Sequence, residues 1–368
     1  MKRVVILCVW LFSVVAGHAQ LSLDECRRLA RENYPEIRQY DLVHQTEQYN
    51  LSNAARAWIP QIAFSAQATW QTDAPNFPKE LTGMLAQQGL EIPGLRKDQY
   101  KVALELNQTI WDGGKSVADK RIARAEAAEQ KTMTDVDLYE LEGRVDDLYF
   151  GILLLDERIA QTNLTLNLLR SNLEKVRALQ RNGVAMQSDA DVLEAELLSV
   201  GQQLIQFESS CDSYRRMLGI FIGQKVGDRK LQRPSAVQPL SGESARPELA
   251  MFAAKIDRLT AQEKMVKSSS MPRLGFFAQG YYGYPGLDYM QSMMNSDWSW
   301  NAMLGVKLSW NFGAYYTQKN NLNKLRISRQ QVEVQRDVFL FNMNLQAAQE
   351  NGDIARLRKA IADDDRIV

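Results

Sequence analysis

The chain has 368 residues with 44 basic and 44 acidic side chains, so its formal net charge at neutral pH is zero. This balance argues against nucleic acid as a partner, because proteins that bind nucleic acid electrostatically carry a basic patch. The chain contains only 2 histidines, and we find no P-loop, nucleophile-elbow or CxxC motif. Without a catalytic set or metal-ligand spacing, we expect neither an enzyme nor a bound cofactor or metal ion.

Residues 1–19 have the pattern of a secretory signal peptide. Two basic residues open the segment, an apolar run follows over 4–15, and the small residues Gly17 and Ala19 precede a cleavage point. The alternative is an uncleaved anchor helix, but the run is shorter than the roughly 20 apolar residues that span a bilayer. No later stretch has that length either. We therefore expect an exported chain whose mature part begins at Gln20.

Two segments of the chain read alike and indicate an internal duplication. Pro35 and Pro247 each follow a polar segment, and each is followed at the same interval by a second proline, Pro60 or Pro272, at the start of an alternating apolar segment. Repeats of this kind determine the whole architecture. The sequence therefore predicts a helix followed by a strand, used twice.

The run from Lys115 to Arg181 predicts one very long helix, on the order of 100 Å. Its apolar residues recur at alternating intervals of three and four, which is the heptad seam of left-handed helix packing. The run ends at Asn182-Gly183, because glycine accepts the left-handed conformation that closes a helix, and a second seam returns from Leu193 to Leu218. We expect an antiparallel hairpin. The outgoing seam is Leu138, Leu141, Val145, Leu148, Ile152, Leu155, Ile159, Leu166, Leu169, Leu173 and Val176, with Thr162 interrupting it.

The duplication predicts three parts: the signal peptide 1–19, a first repeat over 20–245 and a second repeat over 246–368. The second repeat offers a counterpart to the outgoing helix. The position that would match the turn at Gly183 falls beyond Val368. The second repeat is therefore expected to lack a second turn and return helix, as in a C-terminally shortened chain with an uncovered outgoing seam.

Four segments alternate between apolar and polar residues, at about 60–72, 100–112, 272–284 and 299–312. Alternation with a period of two is typical of a strand with two unlike faces. Each segment has about the 9–11 residues of a membrane-spanning strand, and apolar-out, polar-in alternation is the pattern of a barrel. The pattern alone also allows a soluble sheet with one buried face.

Four strands cannot close a useful barrel, and open sheet edges are not tolerated in lipid. Strands that enter a membrane would therefore require several chains to share one barrel, most simply with cyclic symmetry. The residues predicted to face lipid are Ile62, Phe64, Trp70, Leu104, Leu106, Phe276, Leu304, Val306 and Trp310.

The mature chain contains two cysteines, Cys26 and Cys211. A disulfide between them is compatible with an oxidising compartment. Two buried free thiols are equally compatible, because both cysteines occupy apolar helical positions. The sequence leaves both readings open.

Short motifs occur in a fixed order along the mature chain: the opening Leu21–Ala30, the segment Asn33–Ile37, the helix end Ala54–Pro60, the strand exit Trp111–Gly114 and the turn Arg181–Ala195. With these motifs and its duplication, the chain resembles the TolC-like family of outer-membrane efflux proteins. The resemblance implies an α+β membrane protein. Its long antiparallel coiled-coil helices would build a periplasmic tunnel, and four strands per chain would enter the shared twelve-stranded barrel of a homotrimer.

The resemblance also implies a function: a passive exit duct in the cell outer membrane, serving a tripartite efflux or type I secretion system. The implied partners are a periplasmic adaptor protein, an inner-membrane pump and outer-membrane lipid. Loops at about Asp73–Gln99 and Pro285–Asp297 would face outside the cell. The tip that would dock the adaptor comprises Arg181, Asn182, Gly183, Val184, Ser188, Asp191 and Leu193.

Three alternatives remain beside this duct. The first is a periplasmic structural coiled-coil protein whose sheet never enters lipid. The second is a truncated fragment without function. The third, a soluble secreted enzyme, is disfavoured by the missing catalytic set and by the long seams.

Overall fold

The computed structural model describes residues 20–89, 92–234 and 246–367. The predicted signal peptide lies outside the described residues and stays a prediction. The chain divides into a first unit, which extends to Leu42 and resumes over Gln130–Met251, and a second unit, which takes in Val43–Glu129 and everything from Phe252 onward. The second unit unites strands of both predicted repeats, because those strands pair in one sheet. The repeat boundary near 245 remains a prediction.

The helices and strands follow the predicted order. The helices are α1 (Leu23–Asn33), α2 (Gln39–Arg56), α3 (Lys79–Gln87), α4 (Lys115–Arg181), α5 (Gln187–Ile222), α6 (Pro247–Ser268), α7 (Tyr289–Met294) and α8 (Gly313–Ile367), with a 3-10 turn at Pro35–Arg38. The strands are β1 (Gln61–Trp70), β2 (Asp98–Trp111), β3 (Arg273–Tyr284) and β4 (Ser299–Ser309). Among the described residues, no helix combines the length and apolarity that crossing a bilayer requires.

The core of the first unit is built on the heptad seam of α4. Leu138, Val145 and Ile152 are fully buried and pack with residues of α1 and α5, including Cys26 and Leu218. The periodicity predicted this burial, because a stripe repeating every three and four residues stays on one face of a helix. Burying such side chains stabilises a fold by about 1.5–3 kcal/mol each.

Thr162, which interrupts the row of apolar residues, is nevertheless buried. Its hydroxyl donates to the backbone oxygen of Arg158 at 2.7 Å. A threonine that bonds back to the preceding turn satisfies its own polar atom. The seam therefore continues through this position without an unpaired hydroxyl.

The buried Tyr149 ties the start of the mature chain to the segment after α5. Its hydroxyl lies 2.7 Å from the backbone oxygen of Leu21 and 2.6 Å from that of Gln232. Leu21 also forms a parallel bridge with Leu231. Two segments far apart in sequence are thus held on one side of α4.

Asn33 closes the end of α5. Its side-chain amide donates to the backbone oxygens of Ile220 and Phe221 at 3.1 and 3.0 Å. Gly223 follows in the left-handed conformation with φ of 69°, and a Cβ there would lie 2.7 Å from the Asn33 oxygen. Glycine is required on both counts, and Asn33 satisfies carbonyl groups that a helix end leaves free.

Both Cys26 and Cys211 are buried free thiols. This resolves the alternatives that the sequence left open. Burial raises the pKa of the Cys26 thiol to about 12, with a further contribution from the neighbouring Glu25 carboxylate. Burial also raises the pKa of the Cys211 thiol. A thiol that stays protonated is a poor nucleophile, so both cysteines are inert core residues.

The second unit contains an antiparallel four-stranded sheet in the order β1-β2-β3-β4. Its register pairs Ile62 with Leu106, Leu106 with Ala278, and Ala278 with Leu304. The ladder between β2 and β3 is regular except for a register shift between Thr109 and Trp111. β1 and β4 are the edges of this sheet, and neither has a further strand partner among the described residues.

Candidate functional site

The sheet has one apolar face that is left exposed. Residues paired directly across antiparallel strands share a face, and side chains alternate along each strand. Eight of the nine residues predicted to face lipid lie together on this face by register; Phe64 is 73 % exposed and Leu104 is 55 % exposed. The ninth, Trp310, lies one residue beyond β4, where its indole N–H donates to the backbone oxygen of Ser270 at 3.0 Å.

Aromatic side chains collect where the apolar face meets the loops between the strands. Tyr100 stacks on Trp298 with ring centroids 5.7 Å apart. Tyr282 lies 5.4 Å from Trp298 and 5.0 Å from Trp300. Amphipathic aromatic rings concentrate at the two interfaces of a bilayer. This cluster therefore has the composition of an interfacial girdle.

The opposite face of the sheet is polar and hydrogen-bonded. The amine of Lys101 donates to the side-chain oxygen of Gln279 at 3.2 Å and lies 4.6 Å from the centroid of the Tyr281 ring. The amide nitrogen of Gln279 donates in turn to the carboxylate of Glu105. Gln279 thus bridges a cation and an anion that lie four residues apart on β2. Such a face is suited to water and polar solutes.

The two segments between strands are linked to each other at one end of the sheet. The backbone N–H of Arg96, just before β2, donates to the hydroxyl of Tyr284 at 2.9 Å. That hydroxyl donates to the backbone oxygen of Ser292 in α7 at 3.1 Å. The segments 71–97 and 285–298, which cover most of the two predicted outer loops, are therefore anchored at one end of β3.

Asp112 organises the exit from β2 into α4. Its carboxylate accepts from the backbone N–H of Gly114 at 2.9 Å and from that of Ser116 at 2.6 Å, and also from the Ser116 hydroxyl. Gly113 has φ of 71°, and a Cβ there would lie 2.6 Å from the Cβ of Met271. This role of Asp112 was not predicted from the sequence. An aspartate three residues before the first residue of a helix, followed by two glycines, is a capping signal.

The predicted tip is the connection between α4 and α5. The N–H of Val184 donates to the oxygen of Leu179 at 3.0 Å and that of Gly183 donates to Gln180 at 2.9 Å, while Gly183 has φ of 77°. These are the two bonds of a Schellman cap. Six of the seven predicted tip residues are exposed, and Leu193 is half-buried.

The start of α5 is held by the side chain of Asp189. Met186 is the N-cap residue, and Asp189 accepts from its backbone N–H at 3.0 Å. Asp191 accepts from the amide of Gln187 at 2.7 Å, and an ion pair of 2.9 Å joins Arg177 to Glu194 across the two helices. Side-chain bonds within α5 and between α4 and α5 thus stabilise the tip.

An apolar stripe on α8 is exposed. Val338, Phe341 and Leu345 correspond by sequence to buried residues of the α4 seam, yet Phe341 is 64 % exposed. Within the described ranges no helix covers this stripe.

The described residues also contain no group of three or more His, Cys, Asp or Glu side chains that could hold a metal ion.

The fold matches those of solved outer-membrane proteins. The outer membrane protein VceC from Vibrio cholerae gives a TM-score of 0.63 at 14% identity, covering 87% of this chain and 75% of that chain. The outer-membrane channel OprN gives 0.62 at 14% identity, with coverage of 86% and 71%. The CmeC outer membrane channel of Campylobacter jejuni gives 0.58 at 15% identity, with coverage of 87% and 68%. The likeness confirms the predicted fold of long helices and four antiparallel strands.

No curated protein matches the sequence significantly. The model of the family described as outer membrane efflux protein matches residues 27–223, more than half of the chain. This match confirms the resemblance noted in the sequence, the outer-membrane location and a transport rather than enzymatic function. TolC-like channels are trimeric parts of tripartite pumps. The chain therefore belongs to the outer membrane efflux protein family.

Proposed function

We propose that three copies of this chain close one barrel in the outer membrane and act as the passive exit duct of a tripartite efflux system. The observation that carries the proposal is the two-faced sheet with an exposed apolar face, a hydrogen-bonded polar face and two unpaired edges. A soluble sheet would bury the face that holds Phe64 and Leu104, because large exposed apolar patches are rare on soluble proteins.

The unpaired edges support the shared barrel. Backbone groups cannot stay unpaired in hydrocarbon, so strands cross a membrane only in closed barrels. In the proposed trimer, β4 of one copy pairs with β1 of the next, and twelve strands close the ring. The polar face then lines the lumen and the apolar face contacts lipid, which is the alternation of outer-membrane barrels.

The helical hairpin of α4 and α5 carries the proposed contact with a partner protein. The turn at Asn182-Gly183 is exposed and closed by a fixed cap, so it presents a defined shape to a partner. We assign docking of a periplasmic adaptor to this turn and its flanks. The seven tip residues predicted from the sequence are those we propose for this contact: Arg181, Asn182, Gly183, Val184, Ser188, Asp191 and Leu193.

The decisive experiment is the oligomeric mass of the mature protein, extracted in detergent from the outer-membrane fraction and measured by light scattering. A trimer is the expected result and would support one barrel shared by three copies. A monodisperse monomer in that fraction would contradict the proposal, because a single open sheet has edges that lipid does not tolerate. Recovery in the soluble periplasmic fraction would favour the structural coiled-coil alternative.

A further inference from the structure

The charges carried by the sheet are concentrated on its polar face. The register places Lys101, Glu105, Arg273 and Lys307 there, whereas Asp98 lies at the loop end of β2, on the other face and paired with Arg96. The polar face of the sheet therefore carries three cations and one anion. β1 contributes no charged residue.

The single anion on this face is already engaged. Gln279 bonds both to Lys101 and to Glu105, so one positive and one negative charge offset each other through a shared amide. Arg273 and Lys307 are different. Within the part of the chain that the structure describes, neither takes part in an ion pair, and both side chains are exposed. Two uncompensated cations per chain remain on the polar face.

These two cations are close neighbours at the helix end of the sheet. Arg273 pairs with Ser309, and Lys307 pairs with Gly275, so Arg273 and Lys307 are diagonal neighbours on the same face. Diagonal residues of adjacent strands lie about 7–8 Å apart at their Cα atoms, within reach of long side chains. Both can contact one small solute.

A cavity of about 570 Å³ opens beside them, and its lining supplies hydrogen-bonding groups as well as charge. Two carboxylates also line it, but Glu105 is held by Gln279 and Asp112 caps α4. The amine of Lys115 is paired with Asp119 at 2.9 Å. The polar lining that can reach a solute includes Asn107, Thr109, Arg273, Lys307 and Ser309.

We propose that Arg273 and Lys307 form a binding site for anionic solutes on the polar face, one site in each copy of the chain. Guanidinium and ammonium groups together suit a carboxylate, sulfonate or phosphate group, since the first binds in a planar fork and the second as a point charge. The inference rests on the proposed function in one respect, because it takes the polar face as the wall that a solute passes. It deepens that function by naming a solute class.

The test uses the full mature chain purified in a non-ionic detergent, with pyranine, a trisulfonated dye, as the anionic probe and a cationic rhodamine as its counterpart. Binding is measured by fluorescence anisotropy at low salt and at roughly tenfold higher salt. We expect pyranine to bind more tightly than the rhodamine. Its affinity should fall as salt rises, because partly exposed charges are screened.

The variants separate charge from shape. Arg273→Gln and Lys307→Gln should each weaken pyranine binding about tenfold, as loss of one close charge does at intermediate dielectric. The double variant Arg273→Lys with Lys307→Arg keeps both charges and should bind within about threefold of the wild type. Equal affinity in the glutamine variants, or wild-type pyranine binding no tighter than rhodamine binding, would overturn the anion site.

The oligomeric mass of the same samples distinguishes this inference from the proposed function. A trimer whose pyranine binding does not depend on Arg273 and Lys307 would leave the duct standing and overturn the site. A monomer that binds pyranine through these two residues would support the site and contradict the duct.

Discussion

Phe64 on β1 is paired directly with Leu104 on β2, and both side chains lie exposed on the apolar face of the sheet. A pair of large apolar residues opposite each other stabilises a sheet only modestly by itself. Exposing this pair to water is energetically unfavourable, whereas contact with lipid is favourable. The first prediction follows from this pair.

Leu104→Arg should block assembly in the outer membrane, at about 2–4 kcal/mol near the midplane of the bilayer. Ser65→Arg is the matched control, because Ser65 neighbours Phe64 in sequence but points to the polar face. The measurement is the fraction of heat-resistant oligomer in outer-membrane extracts. Equal assembly of the two variants would contradict a lipid-facing role for the Leu104 face.

The capping of α4 by Asp112 gives the second prediction. Asp112→Ala removes bonds to the N–H groups of Gly114 and Ser116 and should destabilise the fold by about 0.5–2 kcal/mol, the usual cost of losing an N-cap. Asp112→Asn keeps only one of the two acceptor oxygens and should recover part of this loss, because the N–H groups of Gly114 and Ser116 bond to different oxygens of the carboxylate. The thermal midpoint by circular dichroism checks both variants, and equal midpoints for alanine and asparagine would contradict the capping role.

The structural features that depend on local periodicity could be predicted from the sequence. The burial of Leu138, Val145 and Ile152 follows from a heptad pattern, and the two faces of the sheet follow from alternation, so both were readable without tertiary information. Tyr149 was not readable in this way. Its hydroxyl meets the backbone of Leu21 and Gln232, and no local pattern shows that those segments converge.

The ends of the strands and the irregularities of the sheet could not be predicted from local sequence patterns either. Trp310 continues the alternation of β4 but lies outside the strand, with its indole bonded to Ser270. The register shift between Thr109 and Trp111 has no sequence signature that we recognise. The two cations Arg273 and Lys307 can be identified in the sequence. Their proximity depends on the register between β3 and β4, which the hydrophobic pattern alone does not determine.

The cap at the tip gives the third prediction. Gly183 has φ of 77°, so Gly183→Ala should cost about 1–2 kcal/mol, the penalty for an L residue in the left-handed region. Gly201→Ala is the control: Gly201 lies inside α5 with open space around its Cα. That change should stabilise the helix by about 0.5–1 kcal/mol.

The same pair of variants tests the proposed docking role. Adaptor affinity, measured by biolayer interferometry with the cognate periplasmic adaptor, should fall for Gly183→Ala and stay unchanged for Gly201→Ala. If both variants bind like the wild type although Gly183→Ala lowers stability, the turn is structural and the adaptor binds elsewhere.

The last prediction concerns alkaline pH. Burial raises the pKa of Cys26 from 9.0 to about 12, and the pKa of Tyr149 rises from 10.0 to about 12, mainly through burial and then through its proximity to Cys26. Below pH 9 both groups are protonated in the folded and unfolded states, and their stabilising contribution is complete. As pH rises above 9, the unfolded chain loses these protons first, so the free energy of unfolding should decrease up to about pH 12.

Chemical unfolding followed by tryptophan fluorescence at pH 8, 9.5 and 10.5 measures this decrease. Cys26→Ala removes the thiol that titrates first, so its stability should decline less between pH 8 and 9.5 than that of the wild type. Its stability at pH 8 should be lower, because a buried side chain has been shortened. Parallel pH profiles for the two proteins would show that Cys26 ionises freely in the folded state, and the inert-thiol assignment would then be wrong.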